Sequence, residues 1–249
     1  MDFNVIDFGK VDIRYMMAMN EALLRGGRDV LFFWKPSTSI ILGYFQRAED
    51  ELNLANCGDY TIVRRTSGGG IAFSDDRMRQ INYGVVGSAD NKTFPVDILG
   101  SYREICGVLI DALKYYSLNA AFRPINDVVV DGKKISGNAQ TRWENRLLQH
   151  GTLLLDFDVD EMLRICNIPR EKFGDKNISS VKEGITWMDR ELGEQKDMAE
   201  VKDVMMRMFS ERFGVRLIPS SPTPEEERTA SMLMPKYHSD DWNFRRRAP

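Results

Sequence analysis

Cysteine and histidine are scarce in this chain. Its 249 residues include three cysteines, Cys57, Cys106 and Cys166, and two histidines, His150 and His238. The cysteines are odd in number, widely spaced and without a Cys-x-x-Cys pair, which argues against a disulfide framework or a zinc site and leaves reduced thiols. One strand histidine and one near the C-terminus supply no ligand spacing, so no transition metal is assigned. An excess of one charge is missing too: 34 Lys and Arg against 37 Asp and Glu leave a net charge of −3, which gives no global attraction to nucleic acid. No run approaches the ~18 apolar residues of a membrane span, and Met1-Asp2-Phe3-Asn4-Val5 carries no basic segment ahead of an apolar core. The expectation is a cytoplasmic protein with no nucleic-acid or membrane partner, in which local clusters build any anion site.

What the chain does have is a glycine run. Arg64-Arg65-Thr66-Ser67-Gly68-Gly69-Gly70 sets three glycines behind two arginines. Glycine has no Cβ to hold a ligand off and accepts positive φ, so successive amides can converge on an anion. A guanidinium fork donates paired hydrogen bonds to phosphate and stays charged. The stretch therefore reads as a phosphate site neutralised by both arginines. Tyr60-Thr61-Ile62-Val63 and Ile71-Ala72-Phe73 flank it as strands. A Walker loop would need Gly-Lys-Ser/Thr before a helix and a dinucleotide fingerprint would need spaced glycines opening one, and neither is here.

The length and a 43% hydrophobic content suffice for a substantial core. Asp12 to Arg25 has the apolar spacing of a one-faced helix ended at Gly26-Gly27. Val30 to Trp34 and Ser39 to Tyr44 read as buried strands separated by Pro36, and Glu49 to Leu54 as a short helix. Gln80 to Val86 reads as a strand returning beside the glycine loop, connected through Ser74 to Arg79. Val96 to Tyr116 keeps the helical period with Cys106 on its core face, a poor nucleophile position. Val128 to Gly137 forms a hairpin turning at Asp131-Gly132. A strand over Leu147 to Leu155, a helix over Val159 to Cys166 ended near Pro169, and a helix over Val201 to Phe213 follow. From Ile218 a Pro- and Ser-rich linker leads into a helix capped by Thr223 or Ser221 and ending at Lys236-Tyr237. The expected division is a main domain over 1–217, then a linker and C-terminal helical segment over 218–249, with Arg245-Arg246-Arg247 a solvated tail.

Polar groups interrupt the apolar strands at four places: Arg64-Arg65 with the glycines, Asn126-Asp127, Lys133-Lys134 with Ser136-Gly137, and Gln149-His150-Gly151. Each stands at a strand end or turn, where loops present functional groups on a rigid scaffold. A lysine can stabilise charge on an acyl carbonyl or leaving phosphate, and a carboxylate beside it can hold Mg²⁺. Lys134 and Asp127 fit those roles, although Lys-Lys beside Asp-Gly also suits an ordinary surface hairpin.

Taken in order, Asn20-Glu21-Ala22, Phe33-Trp34, Gly43-Tyr44-Phe45-Gln46, the Arg64 to Gly70 run, Asn126-Asp127, Gly132 to Gln140 and His150-Gly151-Thr152-Leu153-Leu154 resemble the lipoate-protein ligase family, over about residues 1–190. The resemblance implies an α+β fold, a mixed and antiparallel β-sheet flanked by α-helices, like the biotin/lipoate ligase catalytic domain. It implies condensation of lipoate with ATP and Mg²⁺ to lipoyl-AMP, then transfer of lipoyl to a lysine of a lipoyl domain. Carried over by position, Arg65 and the Ser67, Gly68, Gly69 and Gly70 loop close over lipoate and the adenylate phosphate. Lys134 contacts the acyl carbonyl and phosphate as the catalytic residue. Asn126, Asp127, Gly137, His150 and Gly151 complete the pocket, with Asp127 the Mg²⁺ ligand. A mixed anhydride needs donors on its phosphate and carbonyl and an apolar tunnel for an eight-carbon chain, which agrees with this set.

Two departures stand out. Ser74-Asp75-Asp76-Arg77-Met78-Arg79 replaces a shorter family loop that carries His-Asp, and the ~80-residue accessory domain of the long ligases is not found, a length within the small-domain range. The acceptors implied are lipoyl domains of 2-oxoacid dehydrogenase complexes or the glycine-cleavage H protein. Two alternatives follow. An octanoyl or lipoyl transferase would draw on a carrier protein through a cysteine thioester, yet Ala121 to Asn126 holds no cysteine and Cys57 and Cys166 fall outside the motifs. A ligase half would need a small accessory protein as a separate subunit. Biotin ligation is weaker, because no Gly-Arg-Gly-Arg loop is present.

Overall fold

A computed structural model describes residues 1–90, 92–167 and 178–244. Pro169 and Arg245-Arg246-Arg247 lie outside the described residues. The strands are β1 (Asp2–Val11), β2 (Val30–Pro36), β3 (Ser39–Leu42), β4 (Thr61–Arg64), β5 (Ala72–Ser74), β6 (Arg79–Ser88), β7 (Ala120–Arg123), β8 (Asp127–Val130), β9 (Lys133–Trp143), β10 (Arg146–Asp156) and β11 (Arg216–Pro219). Eight of them form one mixed sheet in the order β11-β1-β2-β6-β10-β9-β8-β7, and β4-β3-β5 form a small second sheet. β1 runs parallel to both β11 and β2, and from β2 through β6, β10, β9, β8 and β7 every pair is antiparallel. Helices cover both faces of the large sheet, so the expected α+β architecture is the one found.

Burial on two faces explains the composition of β2. Leu31 and Phe33 pack into one core with α3 (Ile98–Tyr115) and the helix Met198–Phe213, while Val30, Phe32 and Trp34 pack into a second core with α1 (Ile13–Arg25). A strand buried on both sides reads as a continuous apolar run rather than an alternation. A third core lies under the small sheet, built on Ile40, Leu42, Phe73 and Ile165.

Local chemistry sets the element ends. The Asp12 carboxylate accepts from the amides of Arg14 and Tyr15 and caps α1. Asp131 at φ 46° and Gly132 at φ 80° make the tight turn between β8 and β9. Thr223 and Glu226 form a reciprocal capping box at the start of the helix Pro224–His238. That helix lies along α1: Ala230 and Tyr237 enter the second core, and Lys236 Nζ and Tyr237 Oη each donate to Glu21 at 2.7 Å. Among the described residues no helix is long and apolar enough to cross a membrane.

Two sequence expectations are corrected. The strand at Gln80 to Val86 is β6, which pairs with β2 and β10 in the large sheet and not with β4 or β5, the strands that flank the glycine loop. The helix expected over Glu49 to Leu54 is a shorter one, α2 (Ala48–Glu51), followed by a 3₁₀ turn at Leu54–Asn56.

Candidate active site

Between the α1 face of the large sheet and the small sheet lies a cavity of about 220 Å³. Trp34, Ile41, Phe73, Leu154, Phe157 and Met162 give it apolar walls. Arg65, Gly70, Asn126 and Lys134 line it, together with Gly137, His150 and Gly151. Seven of the expected residues thus meet in one place. Ser67, Gly68, Gly69 and Asp127 do not line the cavity; Ser67 touches a wall residue, His150, and Asp127 touches Lys134.

The glycine loop bridges β4 to β5 and is pressed onto the turn that follows β3. Tyr44 N donates to Ser67 O at 2.8 Å, and a Cβ on Gly43 would meet the Gly69 carbonyl oxygen at 2.0 Å, so only glycine fits at Gly43. Gly69 itself holds φ at 84°. Arg65 reaches back along the loop: its Nε donates to Ser67 Oγ at 3.0 Å, and its Nη2 to the carbonyls of Gly68 at 2.6 Å and Gly70 at 2.7 Å. Burial lowers its pKa to about 10, so it stays cationic at neutral pH and gives the loop a fixed positive centre.

Arg64 does not serve the anion site, contrary to the expectation that both arginines would. Its side chain is fully buried and points away, donating to the carbonyls of Gly43 at 2.9 Å, Gln46, Trp242 at 2.9 Å and Asn243 at 2.9 Å. Trp242 Nε1 and the Asn243 side chain close the knot on the Arg64 backbone. Alternation along β4 explains the split, because adjacent strand residues face opposite sides.

His150 links α1 to the loop. Its Nε2 lies 2.6 Å from Ser67 Oγ and its Nδ1 lies 3.2 Å from Asn20 Oδ1. Asn20 Nδ2 donates to Met16 O at 2.7 Å, which leaves Oδ1 to accept from Nδ1–H, so Nε2 accepts from the Ser67 hydroxyl. Burial, helped by the Arg65 charge, pushes the imidazole pKa down to about 3. His150 is therefore neutral and fixed in one tautomer. His238 is exposed at the end of its helix.

Lys134 Nζ pairs with Asp127 Oδ1 at 2.7 Å and lies directly over Gly137, where a Cβ would meet Nζ at 2.9 Å. Arg123 Nη2 donates to the other Asp127 oxygen at 2.9 Å. The Mg²⁺ role expected of Asp127 does not fit this geometry. Both of its carboxylate oxygens already face cations, Lys134 on one and Arg123 on the other. Asn126 and Asn138 brace each other: Asn138 Nδ2 donates to Asn126 O at 2.9 Å and Asn126 Nδ2 to Asn138 O. Gly151 permits that packing, since a Cβ there would meet Asn138 Oδ1 at 2.0 Å.

Sequence reasoning missed part of the wall. Gln80 and Asn82, alternate residues of β6, face the cavity, as does Cys166 at the end of α4 (Val159–Ile165). Two polar residues at period two inside an apolar strand were the available signal for the first pair. Cys166 had none, because its place depends on how α4 folds back over the small sheet. Burial raises its thiol to about 12, so it is held protonated. Cys106 is buried with a thiol also raised to about 12, and Cys57 is buried in the third core. Residues 74–79 do not line the cavity; Asp75 is tied to Tyr60 at 3.0 Å and to Arg77 at 2.7 Å, which closes that loop on itself.

The family model for the lipoyl protein ligase A/B catalytic domain matches residues 12–210. The chain is 31% identical to the octanoyltransferase LipM of Kyrpidia tusciae across 98% of this chain and 99% of that one. It superposes at a TM-score of 0.86 and 28% identity on a bi-partite lipoate protein ligase of Thermoplasma acidophilum, solved in a study of that ligase and its E2 lipoyl domain, covering 98% of this chain and 96% of that one. A lipoate-protein ligase A bound with ATP gives a TM-score of 0.85 at 25% identity, covering 98% of each chain.

Proposed function

We propose, from the premise that this chain belongs to the lipoyl protein ligase A/B catalytic domain family, that it joins a lipoyl or octanoyl group to a lysine of a lipoyl domain through an acyl-adenylate. In this reading it is the catalytic half of a ligase that a second polypeptide completes, and the expected boundary at 217/218 falls inside β11, so the helix Pro224–His238 packs as part of the same unit. The observation that carries it is the pairing of a cationic, glycine-bounded cavity end with a wall that offers no thiolate: Cys166 is the cysteine of that wall, and its thiol is raised to about 12. The bi-partite archaeal ligase and the ATP-bound ligase among the structural neighbours support the same reading.

Each residue then has a chemical part. Lys134 donates to the acyl carbonyl as negative charge develops on it, held in place by Asp127 and by the bare surface of Gly137. Arg65 and the Gly68 to Gly70 loop set a positive potential against the adenylate phosphate. The acceptor amine attacks the acyl carbon and forms the amide bond, the acyl–phosphate bond breaks, AMP leaves with the bonding electrons, and the proton that the amine loses passes to solvent. His150, neutral and engaged at both nitrogens, holds the loop rather than accepting that proton. No step is assigned to a metal on Asp127.

Octanoyl transfer from a carrier protein is the second reading, favoured by the naming of the 31% identical relative and by the position of Cys166 on the cavity wall. One experiment separates the two. The purified chain is given octanoyl-AMP, or octanoyl carrier protein without nucleotide, with an apo lipoyl domain, and acceptor mass is followed. Modification from octanoyl-AMP that persists in Cys166→Ser supports the ligase half. Modification from the carrier alone, lost in Cys166→Ser, replaces it with the transferase.

A further inference from the structure

The register between β8 and β9 slips beside the reacting lysine. Asp127 faces Gly137 and Val128 faces Ser136, but Val129 faces Lys134, so Ile135 is the extra residue of a β-bulge. Side chains alternate along a strand, and without the bulge Lys134 would share a face with Ser136 and point away from Gly137. With it, Lys134 stands on the face of Asp127 and Gly137. The 2.7 Å contact of Lys134 Nζ with Asp127 Oδ1, and the place of Nζ over Gly137, are the result. Bulges beside reactive groups re-aim a side chain in this way. Ile135 itself is buried on the opposite face, in the core beneath α3 with Val128 and Val130.

The backbone at the bulge is paired by a distant segment. β10 accompanies β9 only as far as Ser136. Beyond it, on the edge of β9 away from β8, residues 184–186 run parallel to Lys134. Lys134 N donates to Gly184 O and Thr186 N donates to Lys134 O, both at 2.8 Å. Ile185, between them, lines the cavity. Thr186 is fully buried, and its hydroxyl donates to Glu191 Oε1 on the helix Met188–Leu192. The same carboxylate oxygen stands 3.4 Å from Lys133 Nζ. Lys134 is thus tied by its own amide and carbonyl, by Lys133 before it and by Ile135 after it.

We propose that this bulge and the segment 184–186 aim Lys134 into the cavity, and that Thr186 is a positioning residue for acyl transfer, acting through Glu191 and the backbone of Lys134. This rests on the acyl-transfer reading above. Lysine carries its charge on a flexible four-carbon stem, so the direction in which it leaves the backbone decides which side of the sheet it can serve. Misplacing a reacting group by about 1 Å can cost on the order of a hundredfold in rate. Loosening the tie therefore shows in the chemical step and not in binding. Valine in place of Thr186 keeps the branched shape and removes the hydroxyl that fastens the segment to Glu191.

Transfer from preformed octanoyl-AMP to an apo lipoyl domain, followed by acceptor mass in the full-length chain, tests it. The variants are Thr186→Val, Thr186→Ser, Glu191→Ala and Lys134→Ala. Thr186→Val should lower kcat about tenfold while KM for octanoyl-AMP changes by less than about twofold. Thr186→Ser keeps the hydroxyl and should recover most of the rate. Glu191→Ala removes the same tie from its other end and should match Thr186→Val, even if that variant fails to fold. In a Lys134→Ala background, Thr186→Val should cause no further loss, because the tie acts only through the lysine. Additive losses, a rise in KM alone, or unchanged kcat in folded variants overturn the positioning role and leave the lysine in place. Transfer that Lys134→Ala does not slow removes the lysine and this inference with it. Absence of transfer in the unaltered chain removes the acyl-transfer reading as well.

Discussion

The two ends of the cavity are built on opposite rules. At the Lys134 end the site's charged and titratable groups are already partnered by the protein: Lys134 with Asp127, Asp127 with Arg123, Arg65 with the loop carbonyls, and neutral His150 with Ser67 and Asn20. At the Trp34 end three buried polar atoms, Trp34 Nε1, Gln80 Oε1 and Asn82 Nδ2, have no hydrogen-bond partner among the described residues. A preorganised charged end loses little reorganisation energy when charge develops there, whereas unpaired buried polar atoms carry an uncompensated desolvation cost.

Removing the centre of the reacting end should have the largest effect. Lys134→Ala is expected to slow acyl transfer by about a thousandfold, the scale of losing a preorganised donor, with little change in melting temperature. Near-normal turnover, read as acceptor mass, would take the lysine out of the mechanism. The neutrality of His150 gives a second handle. Its folded pKa is about 3 against an ordinary 6.5, so between those values the unfolded chain takes up a proton that the folded chain refuses. Stability should fall as pH drops through 6.5 toward 3, by up to about 1.4 kcal/mol per pH unit from this group. Urea unfolding at a series of pH values should show a shallower decline in His150→Gln; equal slopes would mean that the imidazole is not held neutral by folding.

Smaller changes sharpen the contrast. Gly137→Ala drives a methyl against Lys134 Nζ and should lower turnover by about tenfold while leaving acid binding nearly intact, because the displaced group acts on the reacting carbon. Loss of acid binding with normal turnover of bound acid would reverse that assignment. At the other end, Asn82→Leu should change unfolding free energy by less than about 1 kcal/mol, since it replaces an unpaired polar group by an apolar one. A large destabilisation by denaturant titration would show that Asn82 is structurally satisfied after all.

Much of the fold was legible because it is locally encoded. The Asp12 cap and Gly26 stop frame α1, and Asp131-Gly132 can hardly do anything but turn a hairpin. The apolar period of α3 placed Cys106 correctly. Strand order was not legible: β6 reads as a neighbour of the glycine loop in sequence, yet its partners are β2 and β10, a choice made by pairings up to 77 residues away in sequence. Of the site, Arg65, Lys134 and His150 could be read as interruptions of apolar strands. The opposite fates of Arg64 and Arg65 could not, because they depend on carbonyls of residues 43–46 and 242–243 meeting around one guanidinium.

That guanidinium has a consequence for how the protein is made. Arg64 lies at the base of the glycine loop, and a buried cation needs its carbonyl partners before it can settle. Two of them, Trp242 and Asn243, are almost the last described residues of the chain. A nascent polypeptide emerging from the ribosome therefore holds the loop sequence long before it holds what seats the loop. The base of the loop is seated by carbonyls that lie 178 and 179 residues further along the chain.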